Sequence, residues 1–173
     1  HLLPSGILDQ DAMCMVGPGV VVDPFVLLDE MKILHEQGVT TDHLRISDRA
    51  HLIMPYHVRL DALQEQKAAG NKIGTTKRGI GPCYADKYTR IGLRVCDLID
   101  FDTFKQRLKT TLAIKNEEIV KLYGGEPIDY DALVQQFSEI RPSLIPMVCD
   151  AVDKVNKALA SGKNVLFEGA QAN

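Results

Sequence analysis

Short β-branched runs and longer stretches of helical spacing take turns along this chain. Residues 13 to 16 precede a Gly-Pro-Gly turn, and the run Val20-Val21-Val22 after it reads as a short buried strand. Asp23 then stands where a helix cap belongs. Pro24 takes the first helical position, Leu27, Leu28, Met31 and Leu34 recur at helical spacing, and Gly38 is the stop. Leu44-Arg45-Ile46 predicts another strand, with Ser47 as a candidate cap, and residues 55 to 69 predict a helix ended by Gly70. The stretch 71 to 92 holds Gly74, Gly79, Gly81, Gly92 and Pro82, too many breakers for a helix interior, and is predicted as a loop. After the run 93 to 96, residues 102 to 123 are helical and end at Gly124-Gly125. A last helical region from 130 to about 161 is split or kinked by Pro142 and Pro146. Residues 164 to 169 are predicted as a closing strand that runs into Gly-Ala-Gln at a binding edge, since ligands in α/β folds gather where strands end.

This order of elements argues for an α/β fold, yet the strands are few and short for so much helix. The expectation is a single incomplete α/β domain over residues 1 to 173. It would be a piece of a larger domain with a mixed or parallel sheet, with a mostly helical subregion at about 98 to 160. The apolar opening that turns at Pro4-Ser5-Gly6 reads as entry into an element already under way, so a preceding segment is expected. Hydrophobic residues at 45% and charged residues at 25% are ordinary globular usage, which excludes disordered and fibrous classes. No apolar run predicts a membrane span, and no leader pattern opens the chain, so a cytoplasmic location is expected.

Cys14, Cys83, Cys96 and Cys149 form no CxxC pair and have no close histidine, so reduced thiols are expected rather than a metal or redox site. His51 and His57 lie six apart, off a common helical face, and are expected in turns or on a helix surface.

Charge changes the picture. The net charge is −3, but between residues 71 and 95 Lys72, Lys77, Arg78, Lys87, Arg90 and Arg94 face a single acid, Asp86. A local basic window in a mildly acidic chain points to an anion site, because a nucleic-acid binder is more often basic throughout. The same window supplies what a phosphate dianion needs. Its glycines allow close backbone approach, Thr75 and Thr76 offer hydroxyls, and the arginines offer planar forks. It has neither the spacing of a Walker loop nor a dinucleotide fingerprint.

The string IGTTKRGIGPCYADKYTRIGLRVCDL resembles the long signature of the adenylosuccinate synthetase family. HLLPSGIL, VGPGVVVDP, ISDRAHL and LFEGAQA fall in that family's order, so the resemblance spans the chain. The HLLPSGI, RAHL and EGAxA wording looks eukaryotic. The resemblance implies a GTP-dependent ligase of purine nucleotide biosynthesis, with IMP, GTP and L-aspartate as substrates and Mg²⁺ required. GTP would phosphorylate the 6-oxygen of IMP, and the aspartate amine would then displace phosphate to give adenylosuccinate. It also implies that Thr76 contacts the IMP phosphate and that Arg90 reaches that phosphate from the neighbouring subunit of a homodimer. Gln171 would contact IMP, while Thr75, Arg78, Lys87 and Arg94 would lie near the site or the interface. The GDEGKGK-like phosphate loop with its catalytic aspartate, and the general-acid histidine, have no counterpart here. No catalytic residue or magnesium ligand is therefore expected in this chain, and taken alone it should be inactive. The segment from 71 to 82 is expected to be mobile until an anion neutralises its like charges.

Two other readings use the same basic window: a non-catalytic anion- or RNA-binding module, and a structural dimerisation piece. The first has only Tyr84 and Tyr88 as stacking platforms, which is sparse for single-strand binding, so neither nucleic acid nor membrane is expected as a partner.

Overall fold

The computed structural model describes residues 2–68 and 74–169. Along them run β1 Cys14–Val16, β2 Val21–Val22, α1 Pro24–Glu36, β3 Leu44–Ser47, β4 His51–Leu52 and α2 Pro55–Lys67. There follow α3 Ile80–Thr89, α4 Phe101–Tyr123, α5 Tyr130–Leu144, β5 Val148–Cys149 and α6 Ala151–Ala160. Strands β1, β3 and β5 form a parallel sheet in that order, with Cys14 opposite Leu44 and Ile46 opposite Val148. Strands β2 and β4 form a second parallel pair, Val21 opposite His51. Parallel neighbours cannot be joined by a hairpin, and helix α1 provides the crossover between β1 and β3. The expected α/β class holds.

Local signals at the helix ends work as the sequence suggests. Asp23 Oδ1 accepts from Phe25 N at 3.0 Å and Val26 N at 3.2 Å, Pro24 fills the first helical position, and Gly38 turns left-handed at φ +80°. Asp100 caps α4 through Asp102 N and Thr103 N, and Gly124 ends it at φ +64°. The core lies between the sheet and α1, α2, α4 and α5. Leu27, Leu44, Ile46, Leu60, Phe104, Leu108 and Phe137 are buried there in one cluster. The Phe104 and Phe137 rings are 5.0 Å apart, and Phe25 meets Phe137 edge-on at 5.2 Å, which locks α1, α4 and α5 together.

Several expectations need correction. The stretch from 71 to 92 is not a loop throughout, because Ile80–Thr89 form α3. Its breakers sit where a helix tolerates them: Gly79 is the left-handed residue before the helix, and Pro82 lies in the first turn, where a missing N–H costs nothing. Residues 164–169 are not a strand. No strand among the described residues lies alongside to pair with them, and Leu166 and Phe167 stand 90% and 77% exposed. Ser47 caps no helix; it ends β3, and its Oγ accepts from Arg49 N in the turn toward β4. Between Pro142 and Ala151 the chain forms a 3₁₀ turn and the unforeseen strand β5, while Pro142 itself stays within α5.

Gly79 is a position that only glycine fits. Its φ is +74°, and an added Cβ would lie 2.7 Å from Val58 N and 2.8 Å from His57 C. Its own N–H donates to Asp61 Oδ2 on α2 at 2.9 Å. Gly79→Ala should therefore destabilise the protein by about 2–4 kcal/mol, combining backbone strain with overpacking, as read from urea unfolding. An unchanged midpoint would show that α3 shifts freely on α2.

Candidate functional site

Helix α3 lies across α2, and the basic window is distributed about its two ends. At the N-terminal end a cavity of about 380 Å³ is lined by Thr75, Thr76, Ile80, Gly81, Asp61 and Gln64, among others. The segment leading into it is tied to α2 by two carboxylates. Glu65 Oε1 accepts from Gly74 N, and Asp61 Oδ2 from Gly79 N, each at 2.9 Å. Gly79 N is thus engaged, and Ile80 and Gly81 of the first helical turn line the cavity, at the end of the helix where its dipole favours an anion. The Thr75 hydroxyl is buried without a partner, and Thr76 is exposed at the mouth. Arg78 is exposed in the same segment.

At the C-terminal end a second cavity, about 300 Å³, is lined by His51, Lys87, Arg90, Gly92, Arg94 and Arg107. Arg90 is exposed and left-handed at φ +64°, an uncommon conformation for a residue with a side chain. Gly92 is required by close approach, since a Cβ would lie 2.7 Å from His51 Cδ2. Lys87 turns partly away: its Nζ donates to Pro18 O at 3.2 Å and Gly19 O at 3.3 Å, tying α3 to the Gly-Pro-Gly turn. Arg107, which the sequence did not single out, donates to Asp97 Oδ1 and Gly92 O. Burial, then the charges of Lys87 and Arg94, hold His51 below its ordinary value. Gln171, expected to contact IMP, lies outside the described residues.

The structure does not bring Thr76 and Arg90 together. They line different cavities at the two ends of α3, a ten-residue helix about 15 Å long. Tyr84, one of the two candidate stacking platforms, donates its hydroxyl to Gly19 O and has Lys87 Nζ 5.6 Å from its ring centre; Tyr88 is exposed. Among the described residues no group of three His, Cys, Asp or Glu side chains could hold a metal, and none is assigned as a Mg²⁺ ligand. No helix among them is long and apolar enough to cross a membrane.

Beneath α3 is an arrangement the sequence concealed. His57, expected on a surface or in a turn, is fully buried on α2, because its ring fills the junction of α2, α3 and α4. Its Nδ1 accepts from Met54 N at 2.9 Å, which fixes the proton on Nε2; Nε2–H then donates to Asp86 Oδ2 at 2.9 Å. Lys115 Nζ on α4 reaches the other oxygen, Asp86 Oδ1, at 2.5 Å. Burial lowers the His57 pKa against the opposing pull of Asp86. Burial by itself would raise that of Asp86, but its bonds to His57 and Lys115 outweigh it and leave the carboxylate below its ordinary value. The available signal was Asp86 itself, the one acid among six bases.

These features describe an α/β protein with basic residues gathered about the two ends of one helix. The comparisons specify it. The model of the adenylosuccinate synthetase family matches residues 1–173. Adenylosuccinate synthetase of Acetivibrio thermocellus is 52% identical over 99% of this chain, and that of Heliobacterium modesticaldum is 49% identical over 99%. The solved structure of fully ligated adenylosuccinate synthetase from Plasmodium falciparum matches with a TM-score of 0.87 at 33% identity, over 99% of this chain and 40% of that one. The chain belongs to the adenylosuccinate synthetase family, and it spans 41% and 40% of the length of the two bacterial relatives. Those relatives give no support to the eukaryotic look of its wording.

The lowered pKa values of His57, His51 and Asp86 set an acid response. The unfolded chain binds protons that folded His57 and His51 resist, so stability is full above about pH 6.5 and falls below it. The Asp86 contribution is lost in turn below about pH 4. Melting temperature measured across pH should show both declines. His57→Gln should shrink the first one and leave the share of His51; a profile as steep as the parent's would show that His57 does not carry it.

Proposed function

We propose that this chain is the part of a GTP-dependent adenylosuccinate synthetase that anchors the phosphate of IMP and completes the same site in a second subunit. Within that protein it forms one incomplete α/β domain with a helical subregion at about 98–160, a reading supported by the large buried apolar cluster that runs from Ile7 to Met147. The whole protein joins IMP and L-aspartate as adenylosuccinate in the cytoplasm. GTP activates the 6-oxygen as a phosphate ester, so that the aspartate amine can displace it, and Mg²⁺ supplies charge neutralisation for the transferring phosphoryl group.

The part this chain plays is electrostatic anchoring. Thr76, with Thr75 and the N-terminal turn of α3, receives the phosphate, and Arg78 adds charge beside it. Arg90, with Arg94 close by and Lys87 holding the helix in place, serves the phosphate bound by the partner subunit. Gln171 would contact IMP as well. The observation that carries this reading is the placement of Thr76 and Arg90 at opposite ends of α3, which makes sense if one phosphate takes its threonine and its arginine from different protomers of a homodimer.

Calorimetric titration of IMP into the full-length protein tests it. Thr76→Ala and Arg90→Ala should each weaken binding by about 10- to 100-fold, the worth of a charge-assisted hydrogen bond. Mixing the two variants should restore tight binding at about one quarter of the sites, because half the dimers then hold one site with both groups intact. Restoration of none would contradict a shared site. Amide exchange of residues 74–79 should also slow when IMP binds; equal protection with and without it would count against ordering by the anion.

A further inference from the structure

Arg90 has an improbable backbone for the work assigned to it, and the groups that impose that backbone converge on one residue. The carbonyl of Asp86 accepts from Ile91 N and Gly92 N at 3.1 Å each and shares Arg90 N with Lys87 O, while the Thr89 hydroxyl, 3.3 Å from it, lies closer to Ala85 O at 3.0 Å. Three backbone N–H groups converging on one oxygen turn the chain sharply at the end of α3, where Arg90 lies at φ +64°. The side chain of the same residue is the buried carboxylate shared by His57 Nε2 and Lys115 Nζ. Both partners are themselves fixed: His57 by Met54 N at the start of α2, and Lys115 by its place on the buried face of α4.

We propose that Asp86 is the positioning residue for Arg90: its side chain pins α3 to α2 and α4, and its carbonyl sets the left-handed turn that presents the guanidinium. This rests on the reading that Arg90 serves the IMP phosphate. Rotation of α3 about its own axis would swing a long exposed arginine through several ångströms at the tip, and the two directional bonds to opposite oxygens of Asp86 oppose that rotation. Apolar packing alone resists it less, since α3 enters only a small cluster, in which its Cys83 and Tyr84 meet Val21, Ile53 and Val58.

The test is a double-mutant cycle in the full-length protein, with the KM of each substrate as the readout. Asp86→Asn and Lys115→Met should each raise the KM for IMP by about tenfold while leaving those for GTP and aspartate within about twofold. In an Arg90→Ala background the same substitutions should add little, since the group they position is gone. Should Asp86→Asn fail to fold, Lys115→Met carries the cycle, its fold checked by circular dichroism. Full additivity with Arg90→Ala, or an equal rise for all three substrates, would reduce Asp86 to general stability and overturn the proposal. Arg90→Ala with an effect and Asp86→Asn without one would overturn the positioning alone. Arg90→Ala without effect on IMP would overturn the functional reading first, and the positioning with it.

Discussion

A carboxylate buried at the meeting of three helices governs how this chain presents its basic residues. Asp86 faces inward from α3, where an unpaired charge would be intolerable, and it persists because His57 and Lys115 satisfy both of its oxygens. Removing Lys115 would leave that buried charge uncompensated, a loss on the order of 3–5 kcal/mol, whereas removing the neutral His57 would cost the carboxylate one hydrogen bond. The arrangement ties α3 to the two helices that rest on the main core, so a helix with few apolar contacts of its own gains a fixed orientation. Glycine at 79 and 92 allows the approach: the first lets α3 start against α2, and the second lets the chain leave beside His51.

From that fixed helix the division of labour follows. One end offers threonine hydroxyls with the first turn and dipole of α3; the other offers guanidinium groups. On the proposed reading each half is an incomplete anion site, because neither end surrounds a phosphate on all sides. Two protomers that exchange ends would complete both sites at once, which is how a closed twofold assembly produces two equal sites from one sequence. A shared site of this kind also couples binding to assembly, since the arginine contributed by the partner is lost on dissociation.

Local chemistry was readable from the residues themselves, and long-range chemistry was not. Asp23-Pro24 and Asp100 mark helix starts because a cap needs only a side chain two or three residues from the N–H groups it accepts from. The glycines of 74 to 81 were misread because breaker content does not reveal that they stand before a helix and in its first turn rather than in its interior. The strand expected at 164–169 failed for a different reason: β-branched and aromatic content describes a surface that suits a sheet, but pairing requires a neighbour. The partnership of His57 with Asp86 spans 29 residues and depends on how α2 and α3 pack, so no spacing rule could have disclosed it. The family itself was legible across the whole chain, because the signature segment carries glycine, threonine and arginine at positions that backbone geometry and phosphate chemistry both restrict.

The most direct test of the account is a crystal structure of the full-length protein with IMP bound. The account predicts a phosphate within about 3 Å of the Thr76 hydroxyl of one protomer and of the Arg90 guanidinium of the other, with the Asp86 bonds to His57 and Lys115 intact. A phosphate held wholly within one protomer, or one bound away from both ends of α3, would contradict it.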